Sequence, residues 1–188
     1  MNEKPCSVYS YVVTTEGREI AMYQRTIYLE GCANEGFRLF ASIDEEDSRV
    51  DLAVILLEDA MSSEIPGDPS TSEHIVDGFG HALGGALARR MIERSPNQSA
   101  LEQKQLALAG IVRSLNSPYT EEEAKGFTQY RFDQCPLCDA SKRTGIEHVD
   151  LAHHALYGLL KTTIRSIDPD SDICAPRDKS EEHIFSLL

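Results

Sequence analysis

Along residues 7 to 58 the apolar positions come in short β-rich runs. Val8, Tyr9, Tyr11, Val12 and Val13 form the first, Glu16-Gly17 supplies a turn, and a second run extends through Ile20, Met22, Tyr23, Ile27, Tyr28 and Leu29. A loop over residues 31 to 36 follows. Phe37 to Ile43 then alternates with period two, as a half-buried strand does. Asp44-Glu45-Glu46-Asp47 is a charged turn. Val50 to Leu57 reads as a central strand or as the start of a helix running into Glu58-Asp59-Ala60-Met61, and the strand is the preferred reading.

From residue 62 the pattern changes. Residues 62 to 72 hold two prolines, a glycine and several Ser and Thr, which is a loop composition. Thr71 or Ser72 can then cap a helix running to about Glu93, with Val76, Phe79, Leu83 and Leu87 on its apolar face. Gly80, Gly84 and Gly85 each cost such a helix about 1 kcal/mol relative to Ala, so their presence points to close packing. Ser99-Ala100-Leu101-Glu102 is a capping box for a helix through Leu115, and Thr120-Glu121-Glu122-Glu123 reads as another, for a short helix ending near Gly126. Phe127 to Asp133 alternates as a strand with Tyr130 and Phe132 on one face. Val149 to Lys161 is an amphipathic helix, with Val149, Ala152, Leu156, Leu159 and Leu160 inward, and Ile184 to Leu188 is a terminal strand.

These elements predict one α+β domain over residues 1–188. It would have an N-terminal antiparallel sheet in a β-rich part (1–61), a loop (62–72), and central helices leading to a C-terminal strand–Cys-x-x-Cys–helix unit in a helical part (73–188). The length suits one well-cored domain. The net charge of −13 adds a constraint. Residues 30 to 77 carry 13 Asp and Glu against Arg38 and Arg49, leaving −11 locally. Such a surface repels phosphate backbones and anionic lipid, so neither nucleic acid nor membrane is an expected partner. An acidic stretch of this kind is also what an ordinary solvated face looks like. No apolar run approaches the ~18 residues of a membrane span. Met1 to Cys6 lacks a signal-peptide core, so the expected compartment is the cytoplasm. There the five cysteines, Cys6, Cys32, Cys135, Cys138 and Cys174, would serve as thiols, metal ligands or redox groups and not as a disulfide framework.

The chemistry concentrates between Cys135 and Cys174. Pro136 suits the first turn of a helix, which puts Cys135 at the N-cap. Backbone N–H groups and the helix dipole there favour a thiolate, so a lowered thiol pKa is expected, as a nucleophile or redox cysteine needs. Cys135-Pro136-Leu137-Cys138 equally fits a zinc knuckle, with further ligands from Cys174 and from His148, His153 or His154. Two buried thiols without chemistry are the third reading. His153 falls at the edge of the buried helix face and is the better base or ligand; His154 falls on the polar face. Asp172 and Arg177 flank Cys174 and could orient a carboxylate substrate, or be loop charges. His74, Asp77 and His81 share a helix face at metal-ligand spacing, but Gly84, Gly85 and Ala88 share it too, which favours packing.

Residues 127 to 188 are similar in layout to the L-2-amino-thiazoline-4-carboxylate hydrolase-like proteins and to 4-vinyl reductase domains. The shared pattern is a strand delivering a Cys-Pro pair (here Cys135-Pro136), a second helix bearing polar residues (here the helix of His153 and His154), an acidic turn (Asp168 to Asp172) and a late cysteine (Cys174). This chain departs from it in carrying histidines on the middle helix, and in Ala175-Pro176-Arg177 after the late cysteine. The resemblance implies a small-molecule site in which Cys135 is nucleophile or ligand, His153 its base or co-ligand, and Cys174 a second wall.

The expected function is thiol-dependent hydrolysis or lyase chemistry on a small-molecule substrate, with Cys135, His153 and Cys174 catalytic and Asp172 and Arg177 binding substrate. The alternative is a non-catalytic interaction protein whose Cys135, Cys138, His153, His154 and Cys174 hold a structural Zn²⁺. A homodimer is expected from the glycine-rich helix face and the apolar end Phe185-Ser186-Leu187-Leu188.

Overall fold

The carboxylate of Asp51 opens the first helix by accepting a hydrogen bond from the backbone N–H of Val54 at 3.2 Å. This is seen in a computed structural model that describes residues 51–124 and 127–188, together with a short backbone ladder pairing Thr14–Thr15 (β1) with Arg18–Glu19 (β2). The helix so capped, α1 (Leu52–Ser63), stands where a central strand was preferred. Its buried positions Leu52, Ala53, Leu56, Leu57 and Ala60 recur at helical spacing, and Leu and Ala are strong helix formers. The β-branched Val54 and Ile55, which suggested a strand, lie half-buried at the edges of that face.

Two helices build the centre. α2 (Pro69–Arg94) is capped by Asp68 and buries Val76, Phe79, Leu83, Leu87 and Met91. α5 (Val149–Ile167) buries Val149, Ala152, His153, Leu156, Leu159, Leu160 and Ile164. The two pack together more extensively than any other pair of helices. Gly80 and Gly84 make this possible: a Cβ on Gly80 would lie 2.1 Å from the Ala155 carbonyl oxygen, and one on Gly84 2.4 Å from that of Leu159. The glycine-rich face read as a dimer contact is therefore occupied within the chain. α3 (Ala100–Ser114) has the predicted reciprocal capping box between Ser99 and Glu102. Its buried Lys104 donates to Asp168 at 2.6 Å and to Ser171, tying α3 to the end of α5.

The sheet lies on the C-terminal side of the chain. Its strands are β3 (Tyr119–Ala124), β4 (Phe127–Phe132), β5 (Ile173–Cys174) and β6 (Ile184–Leu187), all antiparallel in the order β3-β4-β6-β5. The described architecture is thus α+β with five helices and this four-stranded sheet among the described residues, which corrects the expectation of an N-terminal antiparallel sheet, central helices and a C-terminal strand–Cys-x-x-Cys–helix unit: the sheet is built from the C-terminal strands. The strands read over residues 7 to 43 lie outside the described residues, the β1–β2 ladder excepted. The short helix expected at Thr120-Glu121-Glu122-Glu123 is also overturned. These residues form β3, with Glu121 opposite Tyr130 and Tyr119 opposite Phe132. A single helical turn bearing three glutamates has no apolar face to bury, and isolated short helices are marginal. As a strand, the segment pairs its backbone with β4 and lays the Tyr119 ring against Tyr130 and Phe132, at centroid distances of 5.8 and 5.7 Å. Phe185 and Leu187 of β6 are buried, so the apolar terminus also serves the core. Among the described residues no helix is long and apolar enough to cross a membrane.

Candidate functional site

Cys135 is delivered by β4 and held by the helix that follows it. The strand ends at Phe132, and Cys135 is the N-cap of α4 (Pro136–Thr144) with Pro136 in the first turn. The Sγ accepts a hydrogen bond from the Cys138 backbone N–H at 3.2 Å. α4 buries Pro136, Leu137 and Ala140 and packs on α1. It ends at Gly145, whose φ of 77° is a left-handed cap that a β-carbon would strain. Arg143 fastens it further, donating at 2.6 Å to Asp51, the carboxylate that caps α1. A helix anchored in this way fixes the position of its N-cap thiol.

His153 meets that thiol from α5. Its Nε2 lies 3.2 Å from Cys135 Sγ. Cys135 is 5% exposed and His153 0%. Burial governs both protonation states. It pushes the Cys135 thiol up to about 12, with the neighbouring Cys138 thiol adding to the rise, against the backbone N–H groups of Cys138 and Leu137, which pull the other way. The lowered pKa expected from the N-cap is therefore reversed, because loss of water around the sulfur outweighs two N–H bonds. Burial also pushes His153 down to about 4, and the neighbouring His183 adds to the depression. At neutral pH the pair is a neutral thiol against a neutral imidazole.

His183 completes the local group and was missed in the sequence reading. Its carbonyl accepts from the Phe132 N–H at 3.0 Å, which extends the β4–β6 ladder. Its ring lies 6.4 Å from that of His153, with planes 17° apart. Burial depresses its pKa as well, partly offset by Asp139. The signal that could have found it is strand alternation: His183, Phe185 and Leu187 fall on one face of the β6 run. Phe185 and Leu187 are the buried pair of that run.

The other expected site residues are placed apart from this group. Cys138 is half-buried beside Cys135, whereas Cys174 is exposed on the edge strand β5, opposite Ser186. His154 is exposed on α5. Asp172 pairs with Arg165 at 3.1 Å, and Arg177 donates to the Tyr157 hydroxyl at 3.1 Å while its guanidinium lies 4.9 Å from that ring. Asp172 and Arg177 thus have separate partners and do not form a joint carboxylate clamp. Among the described residues no group of three or more His, Cys, Asp or Glu stands close enough to hold a metal ion. The expected zinc set of Cys135, Cys138, His153, His154 and Cys174 is therefore not brought together, and His154 and Cys174 are exposed. On α2, His81 Nδ1 contacts Thr162 Oγ1 at 2.6 Å and the Gly158 carbonyl at 3.3 Å, and its Nε2 lies 3.4 Å from Asp77, so this face is a polar seam along the α2–α5 contact.

No family model, curated protein or solved structure matches this chain. What the site can do rests on its own side chains. A thiol, an imidazole within hydrogen-bond reach of it, and a backbone N–H directed at the sulfur are the parts of a nucleophile with its general base.

Proposed function

We propose that this protein is a small-molecule enzyme of the thiol-dependent hydrolase or lyase type, with Cys135 as nucleophile and His153 as its base. The observation that carries the reading is the 3.2 Å approach of His153 Nε2 to Cys135 Sγ in the buried interior. Because the resting pair is neutral, the thiol proton moves to Nε2 as sulfur attacks. An S–C bond forms at an electrophilic carbon as the bond to the departing group breaks, and His153 returns the proton to that group. In the hydrolase case water, giving its proton to His153, then attacks the same carbon; the S–C bond breaks and the proton returns to sulfur. The Cys138 N–H steadies charge on sulfur along the way. The layout resemblance to L-2-amino-thiazoline-4-carboxylate hydrolase-like proteins supports the same class. The free thiols of Cys135, Cys138 and Cys174 suit a reducing compartment, and we place the protein in the cytoplasm.

The test is alkylation mapped to each cysteine by peptide mass spectrometry, on wild type and His153→Gln. The reading expects the substitution to slow Cys135 labelling by about a hundredfold or more, the low end of the range for a positioned general base, while the exposed Cys174 keeps its rate. Equal Cys135 rates in the two proteins would remove His153 from the role.

A further inference from the structure

Attack on carbon by Cys135 uses only the backbone N–H of Cys138 and leaves the Cys138 thiol idle. That thiol is free and half-buried, and it is the more accessible of the two, since Cys135 is 5% exposed. Both residues stand on the first turn of α4. Cys135 is the N-cap, and the turn is closed by the Asp139 N–H donating to the Cys135 carbonyl at 3.0 Å. Residues three apart on a helix have Cα atoms about 5 Å apart, inside the roughly 4.4–6.8 Å that a disulfide spans. Helical side chains lean toward the N-terminus, which carries the Cys138 thiol back over the N-cap. Cys135 Sγ in turn reaches the Cys138 N–H at 3.2 Å. The thiols meet there, and Cys138 acts on Cys135 as a side-chain hydrogen-bond partner. A disulfide between them fits the backbone as it stands.

We propose that Cys138 and Cys135 form a redox-active dithiol that reduces a small linear disulfide, with Cys138 attacking first, Cys135 resolving and His153 as the base of the second step. This activity is separate from attack on carbon, which starts at Cys135. In the first step the Cys138 thiol gives its proton to solvent and bonds to one sulfur of the substrate. The substrate S–S bond breaks, and the first thiol leaves with a proton from solvent. In the second step the Cys135 proton passes to His153 Nε2, 3.2 Å away. Cys135 Sγ attacks Cys138 Sγ, the mixed disulfide breaks, and the second thiol leaves with the proton from His153. The protein is oxidised by two electrons, the substrate is reduced to two thiols, and a small dithiol restores the pair by the same exchange. The direction follows from burial. A low thiol pKa stabilises the reduced form and makes a dithiol oxidising. Burial drives Cys135 the other way, up to about 12, so this pair gives its electrons up. The half-burial of Cys138 sets the size of the substrate. Sulfur must approach in line with the S–S bond, which a slim chain allows and a disulfide within a folded protein does not.

The experiment mixes the reduced full chain with bis(2-hydroxyethyl) disulfide, quenches with acid at intervals and maps each cysteine by peptide mass spectrometry. Wild type is expected to pass through a hydroxyethylthio adduct on Cys138 and to end with a Cys135–Cys138 disulfide. Cys135→Ser stops at the adduct. His153→Gln accumulates it and closes the disulfide about a hundredfold or more slowly, as loss of a positioned base does. Two outcomes in wild type overturn the proposal without any variant: a pair that stays reduced, and an adduct that stays on either cysteine without closing. An adduct that reaches Cys135 before Cys138 overturns the order of attack, and His153→Gln closing at the wild-type rate overturns the second step. A further measurement on wild type reads the direction. In a buffer of equal millimolar 2-mercaptoethanol and its disulfide the pair is expected mostly oxidised, and a mostly reduced pair would make it an oxidant and overturn the proposal. None of these readouts depends on alkylation of Cys135 at carbon, which tests the hydrolytic reading separately.

Discussion

Gly80 lies so close to Ala155 that a Cβ at position 80 would stand 2.1 Å from the Ala155 carbonyl oxygen. That approach seats α5 against α2, and α5 is the helix that carries His153 to the thiol. The depth at which the imidazole sits is thus set by a residue with no side chain, on a different helix.

Replacing Gly80 by Ala gains about 1 kcal/mol of helix propensity but forces two backbones apart, and overpacking of this kind costs typically 1–3 kcal/mol. A net destabilisation of up to about 2 kcal/mol is expected by urea denaturation. Gly78→Ala is the control. Nothing stands within 4 Å of a Cβ there, so that change should stabilise by up to about 1 kcal/mol. Equal effects at the two positions would show that the close approach is not what selects glycine at 80.

The raised thiol pKa gives a pH profile. Without substrate, alkylation of Cys135 should keep rising through pH 10, since burial has pushed its thiol up to about 12. An unperturbed thiol, near 8.5, has levelled off by then. A Cys135 plateau below pH 9 would mean that the helix N-terminus outweighs desolvation.

His153 links stability to pH in mild acid. Its folded pKa of about 4 lies below the ordinary 6.5, so between these values the unfolded chain binds a proton that the folded chain refuses. The stability tied to the neutral ring is complete above about pH 6.5 and is lost as pH falls to about 4, roughly 3 kcal/mol in all. Denaturant titrations at several pH values on wild type and His153→Gln check this, with the slope in that window expected to flatten in the variant.

A second acid transition lies lower. Lys104 and Ser171, hydrogen-bonded to Asp168, hold its carboxyl at about 2, below the usual 3.8. The Asp168 contribution is complete above about pH 4 and disappears as pH falls through 2. Lys104→Met should lower the melting temperature at pH 7 and shrink the further loss between pH 4 and 2. An unchanged acid limb would separate Asp168 from Lys104 energetically.

Metal removal provides the last check. With no described group of three ligands, a chelator is expected to leave the melting temperature within about 1 °C, and elemental analysis to give the same content for wild type and Cys135→Ala. One bound zinc per chain, lost in the variant, would replace thiol chemistry with a structural metal, since such sites contribute folding energy directly.

Much of the helical framework could be read from local chemistry, because caps are local. Ser99 with Glu102, Pro136 after Cys135, and Gly145 after α4 mark their helix ends through atoms only a few residues away. The apolar faces of α2 and α5 were equally plain, as their spacing belongs to each helix alone. The misread segments were those whose partner is distant. Thr120 to Glu123 carries a valid capping pattern, yet its backbone pairs with β4, and the gain from that ladder outweighs the local preference. Val50 to Leu57 is apolar without a decisive period, and the Asp51 cap, further tied to Arg143 and Asn116, goes with the helix there.

At the site the division is the same. Residue order alone places Cys135 at an N-cap and His153 on the inward edge of its helix, since both follow from backbone geometry within a single element. Which imidazole meets which thiol depends on how closely α5 settles against α2 and β6 against β4. The protonation of the pair depends on how little water remains once these elements close over the sulfur. Desolvation is a property of everything packed around an atom, and no run of neighbouring residues contains it.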